Sequence, residues 1–239
     1  GKGNKEIAQV LIEAEANLNL QDKDGYTALM IEVKEGNLEI VKELVAAGAD
    51  LNKQDKNGNT ALMWAVSIGN IGIVKELINS EAHLNLQHKD GHTALMLAAV
   101  RGNKEIAKAL IGTGDKDYLD IQDKCRNTAL MLAACRGNKE IAQALIEAEA
   151  NLNLQNKNQD TALIWAVGNG DIKIAQVLIK AEANLDLQNI QGNTALMLAA
   201  GKGNKEIAQV LIEAEANLNL QDKDGYTALM IEVKEGNLE

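Results

Sequence analysis

"DKDGYTALMIEVKEGNLEIVKELVAAGADLNKQ", residues 22–54, decides the fold of this 239-residue chain. It holds two short runs with helical spacing, split by Gly36-Asn37 and flanked by turn residues. Thr27 is a good N-cap, because its hydroxyl can accept a hydrogen bond from a free N–H in the first turn. Ala28, Leu29 and Met30 open a first helix, which ends at Gly36, a residue tolerant of left-handed backbone. Asn37 is placed to cap a second helix, with Glu39 in its first turn, where the helix dipole favours negative charge. Ile40, Val41, Leu44 and Val45 follow on one apolar face. The connection "DLNKQDKNGN", residues 50–59, carries Asn57-Gly58, a strong turn signal between two short extended arms.

The unit recurs. Thr-Ala-Leu begins at Thr27, Thr60, Thr93, Thr128, Thr161, Thr194 and Thr227, with spacings of 33, 33, 35, 33, 33 and 33 residues. Gly-Asn, or Gly-Asp at Gly170-Asp171, sits nine residues after each Thr, and Leu-Asn or Leu-Asp closes each full unit. Neither helix is long enough to be stable alone in water. One unit cannot cover its own apolar face, but stacked units supply one another's missing wall.

These letters resemble the ankyrin repeat. The period, the D-x-x-G-x-T turn, the short first helix, the G-N start of the second and the G-A-D-L-N close all fit. The resemblance covers the whole chain: full units at 22–54, 55–87, 88–122, 123–155, 156–188 and 189–221, with part-units at 1–21 and 222–239. It implies an all-α, ankyrin-like helix-turn-helix solenoid with short β-turn hairpins, elongated and gently curved, and a single repeat domain over 1–239. The chain departs from the family where T-P-L-H becomes T-A-L-M or T-A-L-I. Met30, Met63, Met96, Met131, Ile164 and Met197 then exchange the polar ties of the family's His for apolar packing. Glu81, Glu149, Glu182 and Glu215 stand where Gly48 ends its second helix, and Arg126 and Gln159 replace the turn glycine. Left-handed backbone at any of these costs on the order of 1 kcal/mol, so repeats four and five are expected to be the softer part of the stack.

Composition narrows the function. A net charge of −10 argues against a nucleic-acid or anionic-membrane surface. No apolar run approaches the roughly 20 residues of a membrane span, so no membrane insertion is expected. Two Cys fit a reducing compartment, cytoplasmic or a cytosol into which the protein is delivered. Aromatics make up 2% and Phe and Pro are absent, which suits thin layers filled by Leu, Ile, Val, Ala and Met. With no signal peptide and no initiator Met, the sequence reads as part of a longer gene product.

No catalytic constellation emerges, and an enzyme is not expected. Gly1-Lys2-Gly3-Asn4 lacks the spacing of a phosphate loop and reads as a turn between helices. His88, His92, Cys125 and Cys135 fall in or near the turns of adjacent repeats, but no zinc-ligand spacing joins them. No cofactor or metal is expected.

The positions that vary between units point to recognition. In ankyrin-like proteins the turn and the end of the first helix line the groove that grips partners, so the resemblance implies a protein or peptide partner here. The residue before each Thr runs Tyr26, Asn59, His92, Asn127, Asp160, Asn193. The only three arginines, Arg101, Arg126 and Arg136, fall in these segments of repeats three and four. Arg is a preferred interface anchor, because its planar fork binds carboxylates and stacks on aromatics. Tyr26, Asn59, His92, Arg101, Arg126, Asn127, Arg136 and Asp160 are thus the candidate partner-binding residues. Chance placement of three exposed arginines is the plain alternative.

Three further features stand out. Trp64 and Trp165 hold equivalent first-helix positions and read as core or groove-edge packing. Glu32 stands where other units carry Ala, so it must face solvent or find a partner. "GTGDKDYLD", residues 112–120, is two residues longer than its counterparts, and it either re-aims Tyr118 or is neutral. Finally, residues 1–39 and 201–239 are identical. A recent copy, an engineered one, or a window on a continuous array explains this, and end-to-end self-association of a purely structural array is the runner-up function. A recruiting arm of a larger enzyme or effector is the third.

Overall fold

The repeated Thr, Gly and Asn markers become helix ends. The computed structural model describes residues 5–114 and 116–236. The Gly1 to Asn4 turn, Asp115 of the insertion and Asn237 of the last Gly-Asn marker lie outside the described residues. The chain divides into two compact units, Gly1–Lys124 and Cys125–Glu239.

The first unit holds α1 (Lys5–Glu13), α2 (Ala28–Glu35), α3 (Leu38–Ala46), α4 (Ala61–Ile68), α5 (Ile71–Asn79), α6 (Ala94–Arg101) and α7 (Lys104–Ile111). The first helices α2, α4 and α6 pack in one layer, and α1, α3, α5 and α7 pack in a second layer against it. The second unit repeats the plan with α8 (Ala129–Cys135), α9 (Lys139–Glu147), α10 (Ala162–Gly168), α11 (Ile172–Lys180), α12 (Ala195–Gly201), α13 (Lys205–Glu213) and α14 (Ala228–Glu235). There α8, α10, α12 and α14 form the first layer, and α9, α11 and α13 the second. Among the described residues there is no strand: the expected β-turn hairpins are closed turns, with Asp55 N–H donating to Asn59 O at 2.9 Å.

Local chemistry sets the helix ends. The hydroxyls of the seven Thr that open Thr-Ala-Leu accept from the N–H three residues on, at 3.2 to 3.4 Å. Asn70, Asn103, Asp171 and Asn204 cap second helices in the same way. Asn37 does not, contrary to expectation. Its side-chain N–H donates to Glu32 Oε2 at 2.6 Å instead. This settles how Glu32 is tolerated, because the carboxylate that replaces Ala recruits the neighbouring cap.

Packing, not propensity, buries the helices. The letters KEIAQVLIE occur in both α1 and α13. Ile207 and Leu211 of α13 are 0% exposed, whereas Ile7 and Leu11 of α1 are 58% and 54% exposed. The same holds for α2 and α14, where Leu29 is 1% exposed and Leu229 is 72%. The expected Met30, Met63 and Met96 of the first unit and Met131, Ile164 and Met197 of the second are all buried. Burying such a side chain fully is worth about 1.5–3 kcal/mol.

The polar ties between neighbouring turns come from elsewhere than the residues that follow Thr. Gln54 Nε2 donates to Gly58 O at 2.7 Å in its own turn and to Gln87 O at 3.0 Å in the next. Gln21, Gln87, Gln155 and Gln188 bridge successive turns in the same way. A backbone ladder runs beside them, with Lys56 N–H to Asp24 O, Lys89 to Asn57, Lys157 to Cys125 and Ile190 to Asn158, at 2.8 to 3.0 Å. Asn19, Asn52, Asn153 and Asp186, from the Leu-Asn marker, accept from the backbone of the next unit at 2.8 to 2.9 Å.

The ladder explains the turn glycine. Gly192 has φ +82°, and a Cβ there would lie 2.7 Å from Lys223 N. Arg126 and Gln159 take the same left-handed backbone at φ +64° and +60°, and Glu81, Glu149, Glu182 and Glu215 do so at +61° to +65°. The insertion has a structural use: Tyr118 is 2% exposed, and its hydroxyl donates to Leu110 O at the end of α7.

Candidate functional site

In the first unit turn tips lie beside first helices, as where Trp64 of α4 bonds to Asp55 of the turn before it. Each turn is held by its leading side chain. Asp55 is 6% exposed, and its Oδ1 accepts from the backbone N–H of Asn57 and Asn59 at 2.8 and 2.9 Å. Asn59 adds its side-chain N–H to the same carboxylate. His88 stands where other turns have Asp or Asn, and its Nδ1 accepts the Asp90 N–H at 2.9 Å. That bond requires an unprotonated Nδ1. Burial, then the neighbouring His92, lowers the His88 pKa in the same direction.

The candidate residues of this unit divide by role. Asn59 is turned onto its own Asp55. His92 Nε2 lies 3.3 Å from Asp123 Oδ2, and its ring lies 5.1 Å from that of His88. Arg101 is exposed at the end of α6, and its Nε donates to Ser67 O of α4 at 3.3 Å. Tyr26 is half-buried, with its ring 5.9 Å from that of Trp64, and Lys34 Nζ lies over both rings. Trp64 is itself half-buried, and its indole N–H donates to Asp55 Oδ2 at 3.0 Å.

In the second unit, Asn127 Oδ1 accepts from Asn156 Nδ2 at 3.0 Å. Asp160 Oδ1 accepts from Asn189 Nδ2 at 3.2 Å, and burial raises the Asp160 pKa. Arg126 and Arg136 are exposed, the first in a turn and the second just after α8. Asn127 and Asp160, each the residue before a Thr, therefore bond to the leading residue of the next turn, 29 residues on. His92 and Asp123 do the same in the first unit across the longer third repeat. This lateral pairing escaped the sequence reading, yet it leaves a trace there: acceptors precede Asn156 and Asn189, and a His precedes Asp123.

Lys34 stood outside the candidate set, because Ser67, Val100, Cys135, Gly168 and Gly201 at its counterpart positions share no chemistry, and only Lys234 of the last part-unit repeats it. Among the described residues, no group of three or more His, Cys, Asp or Glu could hold a metal ion. Among them, too, no helix is long and apolar enough to cross a membrane.

Paired layers of short helices, capped by Thr and tied turn to turn, define a helical repeat module. The family model of ankyrin repeats (3 copies) matches residues 1–55, 30–120, 115–189 and 178–239. The chain belongs to the ankyrin repeat family. A similar solved structure is the ankyrin repeat domain of Bcl-3, described as a unique member of the IκB protein family. It is 28% identical, with a TM-score of 0.80, over 87% of this chain and 95% of that one. No curated protein matches. Ankyrin repeats are generally protein–protein interaction modules.

Proposed function

We propose that the chain binds a protein or peptide partner through the face built by its turn tips and first helices, and acts without chemistry of its own. The observation that carries this reading is the residue set on that face in the first unit. Tyr26, Trp64 and Arg101 stand at its surface while the turns beneath are rigidly bonded. Tyr, Trp and Arg are the residue types most enriched among interface hot spots. Rigid support lowers the ordering cost of binding. In the second unit Arg126 and Arg136 occupy the matching segments and are assigned the same role.

The test is site-specific photo-crosslinking. A photoreactive residue at position 59 or 193, on the face, should capture a partner that one at Lys75 or Lys173, exposed on second helices, does not. Equal capture from both sides would overturn the reading.

A further inference from the structure

In the first unit three side chains meet around one ammonium. The Tyr26 and Trp64 rings lie 5.9 Å apart with their planes inclined by 55°. Lys34 Nζ sits 4.0 Å from the Tyr26 centroid and 4.6 Å from that of Trp64. The Tyr–Lys part is local: Tyr precedes the N-cap and Lys closes the same helix, and Tyr226 and Lys234 of the second unit pair alike at 4.5 Å. Trp64 adds a second wall from the next first helix. The positions equivalent to Tyr26 and Lys34 ahead of Trp165 are Asn127 and Cys135, which supply neither ring nor ammonium.

Asp55 tunes the cleft. The indole N–H of Trp64 donates to this buried carboxylate at 3.0 Å. Such a bond polarises the indole toward its ring face and strengthens its attraction for a cation.

We infer that the Tyr26–Trp64 cleft receives an alkylammonium side chain of the partner, with Lys34 as its resident occupant in the free protein. The inference rests on the protein-binding reading above and adds the chemistry of one anchor. The cleft already accepts an alkylammonium. Lys34 is exposed, and among the described residues no carboxylate lies within ion-pair distance of it. An exposed cation–π contact is weak enough to exchange. The net charge of −10 favours the approach of a basic segment. A quaternary ammonium, which sheds water more readily than a primary one, is the best probe.

The experiment follows the two indole N–H resonances of the intact chain during titration with tetramethylammonium chloride, against sodium chloride at equal ionic strength. The Trp64 resonance should shift saturably while that of Trp165 stays still. Lys34→Gln, and independently Lys34→Ala, should tighten the response about threefold by removing the competitor. Tyr26→Ala should abolish it. A Trp64 resonance that stays still in both Lys34 variants, or that moves equally with sodium, overturns the inference. The probe needs no partner, so such a failure leaves the protein-binding reading standing, whereas failure of the crosslinking test removes that reading itself.

Discussion

Trp64 donates its indole N–H to Asp55 Oδ2 at 3.0 Å, joining a first helix to the turn nine residues before it. Asp55 also accepts two backbone N–H groups, so one buried carboxylate holds both the turn and the aromatic wall. Asp55→Ala leaves these donors unpaired and should cost about 2–3 kcal/mol. Asp55→Asn keeps the backbone bonds, as Asn156 does in its own turn, but sets an amide donor against the indole N–H. It should cost about 1 kcal/mol. The costs of Asp55→Asn and Trp64→Phe should add to more than that of the double variant, because both break the same bond. Urea unfolding of the four proteins measures this, and strict additivity would show that the bond carries no energy.

Left-handed backbone at a non-glycine residue is a local cost that can be removed. Gln159→Gly should stabilise the chain by about 1 kcal/mol, since φ +60° is strained only for a residue with a Cβ. Gln155 bonds to the Gln159 carbonyl, which the substitution keeps. Gly192→Ala should do the reverse and cost more, because its Cβ would also meet Lys223 N at 2.7 Å. Thermal melts of the two variants should move in opposite directions.

The fold was legible because its signals are local and repeated. Thr27 and its counterparts cap helices wherever they occur, and Gly36 ends one wherever the next residues can start another. The ties between units were not legible in the same way. Gln54 reaches a carbonyl 33 residues away, and nothing in its own neighbourhood marks it as a bridge rather than a solvated side chain. The candidate site was half legible. Variation at the residue before Thr marked a segment at the turns, but Asn127 and Asp160 bond to Asn156 and Asn189 of the following turns, so these positions also serve structural pairing. Lys34 gains meaning only when Trp64 is folded beside it.

Gln54→Ala removes two bonds of the ladder and should cost about 1 kcal/mol, since the side chain is exposed. Hydrogen exchange should quicken at Gly58 and Lys89, in the turns it joins, and remain unchanged within α2. Uniform quickening would mean that the ladder does not act locally.

The turn led by His88 should weaken in acid. Its Nδ1 accepts the Asp90 N–H only when unprotonated, and burial beside His92 lowers its folded pKa, with Asp90 and Asp55 opposing. A His with a lowered folded pKa gives stability that is complete above the unfolded value of roughly 6.5 and is lost as pH falls through and below it. His88→Asn supplies a neutral acceptor, as Asn156 and Asn189 do. Between pH 7.5 and pH 5 the native chain should lose more stability than this variant, and parallel pH profiles would exclude His88 as the cause.

The role of the turn and first-helix face is tested most directly by the affinity of the crosslinked partner for the intact chain and for two separate variants, Arg101→Ala and Arg136→Ala, each with its thermal melt. Arg101 gives one N–H to Ser67 O and Arg136 is exposed, so neither melt should fall by more than a few degrees. Binding should weaken by roughly fivefold or more in at least one variant. Unaltered affinity in both would contradict partner binding through this face.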